Sequence, residues 1–152
     1  MSFERFLAVD FGERRIGLAV GDSENLIASP LDTILNKNSE KSCNRIKELV
    51  DEWEINHIII GLPKIYAEQE INKQIKNFGA NLKKKYNLDI IFFDEDYSSN
   101  YAKSELSKQM QAGRKKKVNK EEIDRIAAAI ILQSYFENEI FKRADTGTTS
   151  KN

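Results

Sequence analysis

Three carboxylates in this 152-residue chain stand at the edges of apolar segments. Asp10 closes the run FLAVD, Glu95 follows the run DIIFFD, and Asp124 lies one turn into a segment where Ile123, Ala127 and Ala128 leave room for close approach to a sheet. Carboxylates gathered in one cleft repel and raise one another's pKa unless a cation is present, and hard divalent ions such as Mg2+ or Mn2+ relieve that cost. Such a cluster suits two-metal hydrolysis of a phosphodiester, one ion activating the attacking water and the other stabilising the leaving oxygen. Any single Asp at a strand end is ordinarily a solvated loop acid. Three at compatible topological positions weaken that reading.

Cations are the second chemical feature. Arg14 and Arg15 share a turn with Asp10, and Arg114, Lys115, Lys116 and Lys117 form an uninterrupted basic run. Each can neutralise a phosphate with salt-dependent affinity, although a basic loop between helices is also ordinary solvated surface. Lys83, Lys84 and Lys85 close a helix, where the helix dipole accounts for them. With 24 Lys plus Arg against 24 Asp plus Glu, the chain is neutral, so any face suited to nucleic acid must be local.

Other chemistries are excluded by scarcity. One cysteine, Cys43, allows neither an internal disulfide nor a thiolate metal cluster, and one histidine, His57, excludes zinc sites built on several imidazoles. His57 opens a strand without a partner to orient it for acid-base work and reads as structural. Cys43 and Trp53 share an apolar helix face and read as core. A mean hydropathy of -0.56 and the lack of any bilayer-length apolar run argue against a membrane protein, and charges within the first residues argue against a signal peptide. A cytoplasmic location is expected.

The elements that must position the acids follow from periodicity. Residues 6–10 and 16–20 read as strands joined by a turn at Gly12, and residues 26–34 as an extended third segment with Pro30 at an edge or bulge. Cys43, Ile46, Leu49, Val50 and Trp53 mark a helix that Asn38 or Ser39 can cap. Residues 57–60 (HIII) form a buried strand closed by Gly61, Leu62 and Pro63. Ile71, Ile75, Phe78, Leu82 and Tyr86 mark a second helix, and residues 89–93 another strand. A third helix starts at Ser98 or Ser99, carries Ala102, Leu106 and Met110, and ends near Gly113. Asn119 with Glu122 opens the last helix, with an apolar face of Ile123, Ile126, Ala127, Ile130 and Ile131. The expectation is one α/β domain over residues 1–143, a mixed five-stranded sheet with helices on both faces, followed by a disordered polar tail at 144–152. Ligands of such sheets lie beyond the carboxyl ends of the parallel strands, at Asp10, after Ile60, and at Asp94 and Glu95.

LAVDFGERRIGLAVGD, IIIGLPK, FFDED with the following SS, and IDRIAAAIILQSYF together resemble successive signatures of the YqgF (RuvX) family, in order from Phe6 to Phe136. The resemblance implies an RNase H-like, RuvC-related fold. Family members are described as Holliday junction resolvases or as nucleases that mature pre-16S rRNA. It implies a metal-dependent endonuclease with Asp10, Glu95 and Asp124 as catalytic acids and ligands of Mg2+ or Mn2+, and family glycines at Gly12, Gly17 and Gly61 before Leu62 and Pro63. Arg14, Arg15, Ser98, Ser99 and the run from Arg114 to Lys117 become substrate contacts. The implied partners are precursor rRNA or branched DNA and ribosomal particles, with no membrane, and the chain is expected as a monomer rather than a homodimer. Two departures stand out: Asp96 replaces the family arginine after the DE pair, and KIYAEQE after Pro63 lacks the family's Asn- and Gly-containing stretch.

Two other function classes share features with this sequence. An actin-like or sugar-kinase-like ATPase also begins with an Asp-x-Gly turn, but Glu13, Arg14 and Arg15 fill this turn where small hydroxyl residues are usual, and 152 residues leave no second lobe. A non-catalytic nucleic-acid-binding or ribosome-assembly module is favoured by Asp96 and the altered loop and opposed by the three acids.

Overall fold

A computed structural model describes residues 3–63, 69–97, 102–104, 106, 108 and 119–140. The chain forms β1 (Arg5–Phe11), β2 (Arg15–Asp22), β3 (Ser29–Leu35), α1 (Ser39–Glu52), β4 (His57–Leu62), α2 (Glu70–Tyr86), β5 (Asp89–Asp94), a 3-10 turn (Glu95–Tyr97), α3 (Lys120–Tyr135) and a π-helical turn (Phe136–Ile140). Residues 102–104, 106 and 108 are also helical. The sheet order is β3-β2-β1-β4-β5, with β1, β2 and β3 antiparallel and β4 and β5 parallel to β1. No described helix is long and apolar enough to cross a membrane.

Side chains alternate across a strand, so each strand divides its apolar residues between two layers. Leu7, Val9, Ile16, Leu18, Ile58, Ile60 and Leu62 pack with Cys43, Ile46, Leu49, Ile75, Phe78 and Leu82 of α1 and α2. Phe6, Ala8, Ala19, Ile59 and Phe93 pack on the opposite face with Leu106 and with Ala128, Ala129, Ile131, Leu132 and Tyr135 of α3. Helices on both faces of a mixed five-stranded sheet are thus present. Asn38 caps α1 by accepting from the Lys41 N–H (3.2 Å), and Asn119 caps α3 by accepting from the Glu122 N–H (2.9 Å).

Three expectations need correction. The third strand begins at Ser29, not residue 26, because Leu26 adopts a left-handed conformation (φ 57°) and turns the chain first; the β2–β3 register then shifts between Leu18 and Ala19, beside Pro30. Trp53 is not core. It is the C-cap of α1 and 40% exposed, since the chain leaves the helix there and reverses at Glu54 (φ 51°). Ile123 is 51% exposed, because the first turn of α3 meets polar groups, with Thr33 Oγ1 donating to the Glu121 carbonyl (2.5 Å).

At the amino ends of the parallel strands, His57 is structural as expected but not partnerless: it stacks on Phe6 (centroids 5.0 Å apart) and hydrogen-bonds Asp89 through Nδ1 and Glu4 through Nε2 (2.7 Å). Burial works against the charged imidazole, but the bonds and charges of Asp89 and Glu4 outweigh it and raise its pKa. Stabilisation from this clamp is therefore complete below the ordinary imidazole value of about 6.5 and lost as pH rises through the raised value. Thermal denaturation of His57→Gln and the parent should differ most near about pH 6 and converge only once the pH has passed the raised value. A gap constant with pH would assign the effect to packing on Phe6.

Candidate active site

The alternation that builds the core also aims the acids. On β1, Phe6 and Ala8 face α3, which places Asp10 on that face at the strand's carboxyl end. On β5, Phe93 shares the face, and Glu95 follows in the 3-10 turn, which is closed by the Asp96 N–H donating to Asp94 Oδ1 (2.9 Å). The register pairs Val9 with Ile60, so Asp10 and Gly61 come side by side at the ends of β1 and β4.

Two glycines let the pieces meet. Gly17, opposite Asp10 on β2, lies so close under α3 that a Cβ there would sit 1.9 Å from the Asp124 carbonyl oxygen. At Gly61 a Cβ would lie 3.1 Å from Glu95 Oε1 and 2.7 Å from Ile131 Cδ1, so the Glu95 side chain crosses the space this glycine leaves open.

Burial first, then the charges of Glu95 and Asp124, push the Asp10 carboxyl up to about 7. Glu95 is likewise raised, chiefly by burial and then by Asp94 and Asp96, with Lys103 pulling the other way. Arg15 Nε donates to Asp124 Oδ2 at 2.6 Å, in a pair whose side chains are 27% and 21% exposed. The three acids expected from the sequence are thus within electrostatic reach around Asp10. Arg15, expected as a substrate contact, is engaged with one of them, and Arg14 is exposed in the adjoining turn. Ser98, Ser99, Arg114, Lys115, Lys116, Lys117 and residues 64–68 lie outside the described residues. Lys103 escaped the sequence reading: nothing in its local pattern separates it from other surface lysines, and only the approach of its helix to Glu95 gives it a role.

The donors suit a hard divalent cation in kind, being all carboxylate oxygens, with a repulsion around Asp10 that such an ion would relieve. In arrangement they are not yet a cage. No group of three or more His, Cys, Asp or Glu side chains among the described residues is placed to hold a metal, and one Asp124 oxygen is taken by Arg15.

Asp96 is exposed beside Glu95 and contributes to raising its pKa, so it adds negative potential at the edge where a phosphate would approach. Asp96→Arg should tighten nucleic-acid binding by on the order of 1 kcal/mol, measured in an Asp10→Asn background to prevent cleavage. Equal affinity with and without the arginine would show that Asp96 acts only on the turn.

The family RuvX: Holliday junction resolvase matches residues 4–138. A relative from Nitrosospira multiformis, named "Putative pre-16S rRNA nuclease", is 40% identical over 134 residues, 86% of each chain. Proteins of the same name from Sulfurihydrogenibium sp. and Thermoanaerobacter pseudethanolicus are 38% and 33% identical, covering 93% and 89% of this chain and 96% and 97% of their own. Among solved structures, T. thermophilus RuvC in complex with Holliday junction substrate superposes with a TM-score of 0.55 at 12% identity, over 90% of this chain and 96% of that one. The fowlpox virus Holliday junction resolvase gives 0.53 at 17% identity, over 88% and 99%. These two likenesses bear on the fold alone and agree with the RNase H-like, RuvC-related architecture. With a family match across nearly the whole chain and relatives at 33–40% identity, the chain belongs to the RuvX family and is a nuclease.

Proposed function

We propose that this protein is a metal-dependent endonuclease that hydrolyses phosphodiester bonds in structured nucleic acid, and that its substrate is the 5′ end of pre-16S rRNA. The observation that carries the chemistry is the placement of Asp124 against Gly17, opposite Asp10, and of the Glu95 side chain over Gly61, beside Asp10, on one face of the sheet, with Asp10 pushed up to about 7 by burial and by the charges of the other two acids. A carboxylate so crowded favours a cation or a proton over standing alone at neutral pH. Bound there, Mg2+ or Mn2+ would supply an activated water and charge stabilisation at the leaving oxygen.

The chain's own groups do the rest. Asp10 and Asp124 approach from β1 and α3, and Glu95 reaches over Gly61, so the acids come from three separate elements around the scissile position. Arg14, Ser98, Ser99 and the run from Arg114 to Lys117 are assigned to phosphate binding, where they would give affinity its salt dependence. Lys103 joins them as the cation nearest in effect to Glu95. Cytoplasmic action on ribosomal particles as a monomer completes the reading.

The relatives' name favours rRNA, while the family's description favours branched DNA as the second reading. A metal-carboxylate site can hydrolyse either, and discrimination lies in surface shape. A pre-16S 5′ fragment and a four-way DNA junction should therefore be compared at one salt concentration with Mg2+, with Mn2+ and with chelator. Metal-dependent cleavage of the RNA at a defined position is the expected result. Faster cleavage of the junction would move the assignment to DNA, and inactivity on both would favour the assembly-module class.

A further inference from the structure

On β2, Arg15, Gly17, Ala19 and Gly21 lie on the face that carries α3, and three of the four are too small to hold the helix off. Arg15 is the exception, at the end of the strand where the helix begins. Its guanidinium meets the Asp124 carboxylate at 2.6 Å, while Gly17 packs directly against the backbone of Asp124. The position of Asp124 in the fold is thus set by glycine contact, and Arg15 acts on its charge. We propose that Arg15 is the internal counter-ion of the metal-free site: it neutralises Asp124 until a divalent cation displaces it, so that loading the metal and releasing the guanidinium are one exchange. This inference rests on the metal-dependent reading above.

The geometry makes the exchange local. Both partners are partly exposed, so neither must leave a sealed core, and Glu121, one turn earlier on α3, also acts on the guanidinium and remains near it once Asp124 is occupied. Arg15 would set how much cation the site needs and keep Asp124 from adding its full charge to an empty site.

The test is calorimetric titration of MnCl2 into the intact parent, Arg15→Gln and Arg15→Lys, with thermal denaturation of each with and without Mn2+. Removing a competing cation should tighten Mn2+ binding about two- to fivefold in Arg15→Gln, as expected for a partly exposed pair, and leave Arg15→Lys near the parent. The metal-free Arg15→Gln protein should melt lower than the parent, and saturating Mn2+ should close the gap. Weaker Mn2+ binding in Arg15→Gln would make Arg15 an orienter of Asp124 and overturn the exchange, as would unchanged affinity. Absence of Mn2+ binding by the parent would overturn the metal-dependent reading as well, so the two failures are distinct.

Discussion

Replacing Asp10 with asparagine should cost cleavage on the order of a hundred- to thousandfold and, in the same protein, raise metal-free stability at mildly alkaline pH. The second effect follows from the pKa. In the folded protein Asp10 titrates at about 7 against an ordinary value of 3.8, so the folded state holds a proton that the unfolded chain gives up sooner. Stability from this group is complete below the unfolded value, falls as pH rises between the two, and reaches its full deficit above about 7, on the order of 4 kcal/mol. Asparagine carries no charge to repel and removes the fall. Urea denaturation without metal at about pH 4 and about pH 8 should therefore bring parent and variant close at the lower pH and place the variant clearly above at the higher. Stabilisation by Mn2+ should also shrink in the variant. Parallel pH profiles would mean that Asp10 is not strained by its neighbours, and an intact Mn2+ response would remove it from the metal site.

The largest structural effect is expected at Gly17. An alanine Cβ would lie 1.9 Å from the carbonyl oxygen, 2.4 Å from the carbonyl carbon and 3.1 Å from the Cα of Asp124. These are backbone atoms of a helix, so relief requires moving α3 off the strand, and overpacking of this kind costs about 3 kcal/mol or more. Gly79→Ala is the control. Its Cβ would meet the Phe92 ring at 2.6 Å, a side chain that can turn aside, and the substitution gains helix propensity. Urea denaturation should rank Gly17→Ala well below Gly79→Ala. The refolded Gly17→Ala protein should also respond less to Mn2+, since the displaced helix carries Asp124. Equal midpoints for the two variants would contradict the close approach of α3 to β2.

Asp10 and Glu95 were legible because short apolar runs ending in acid mark the carboxyl ends of buried strands, and strand alternation sets the face toward which they point. Asp124 needed more: its place in a helix start was readable, but its approach to Asp10 depends on Gly17, whose small size matters only once α3 lies across β2. Trp53 and Ile123 depart from the faces their spacing predicts for one reason. Helical periodicity extends a face indefinitely, whereas the observed helices meet the core over only part of their length, and the residues at their ends answer to turns and polar contacts. The Arg15 pair was illegible because its partners stand 109 residues apart and both types are ordinary at a surface. Lys103 was hidden likewise.

That spacing of the acids along the chain has a consequence for biosynthesis. Residue 10 is made early, residue 95 much later, and Asp124 belongs to a helix whose docking on β2 joins the last acid to the other two. While α3 is still being synthesised or threaded through an exit tunnel, the sheet can pair its strands yet has only part of its acid set. If the substrate is ribosomal RNA, as proposed above, the machine that makes the protein is then not exposed to the finished site until α3 has emerged and docked.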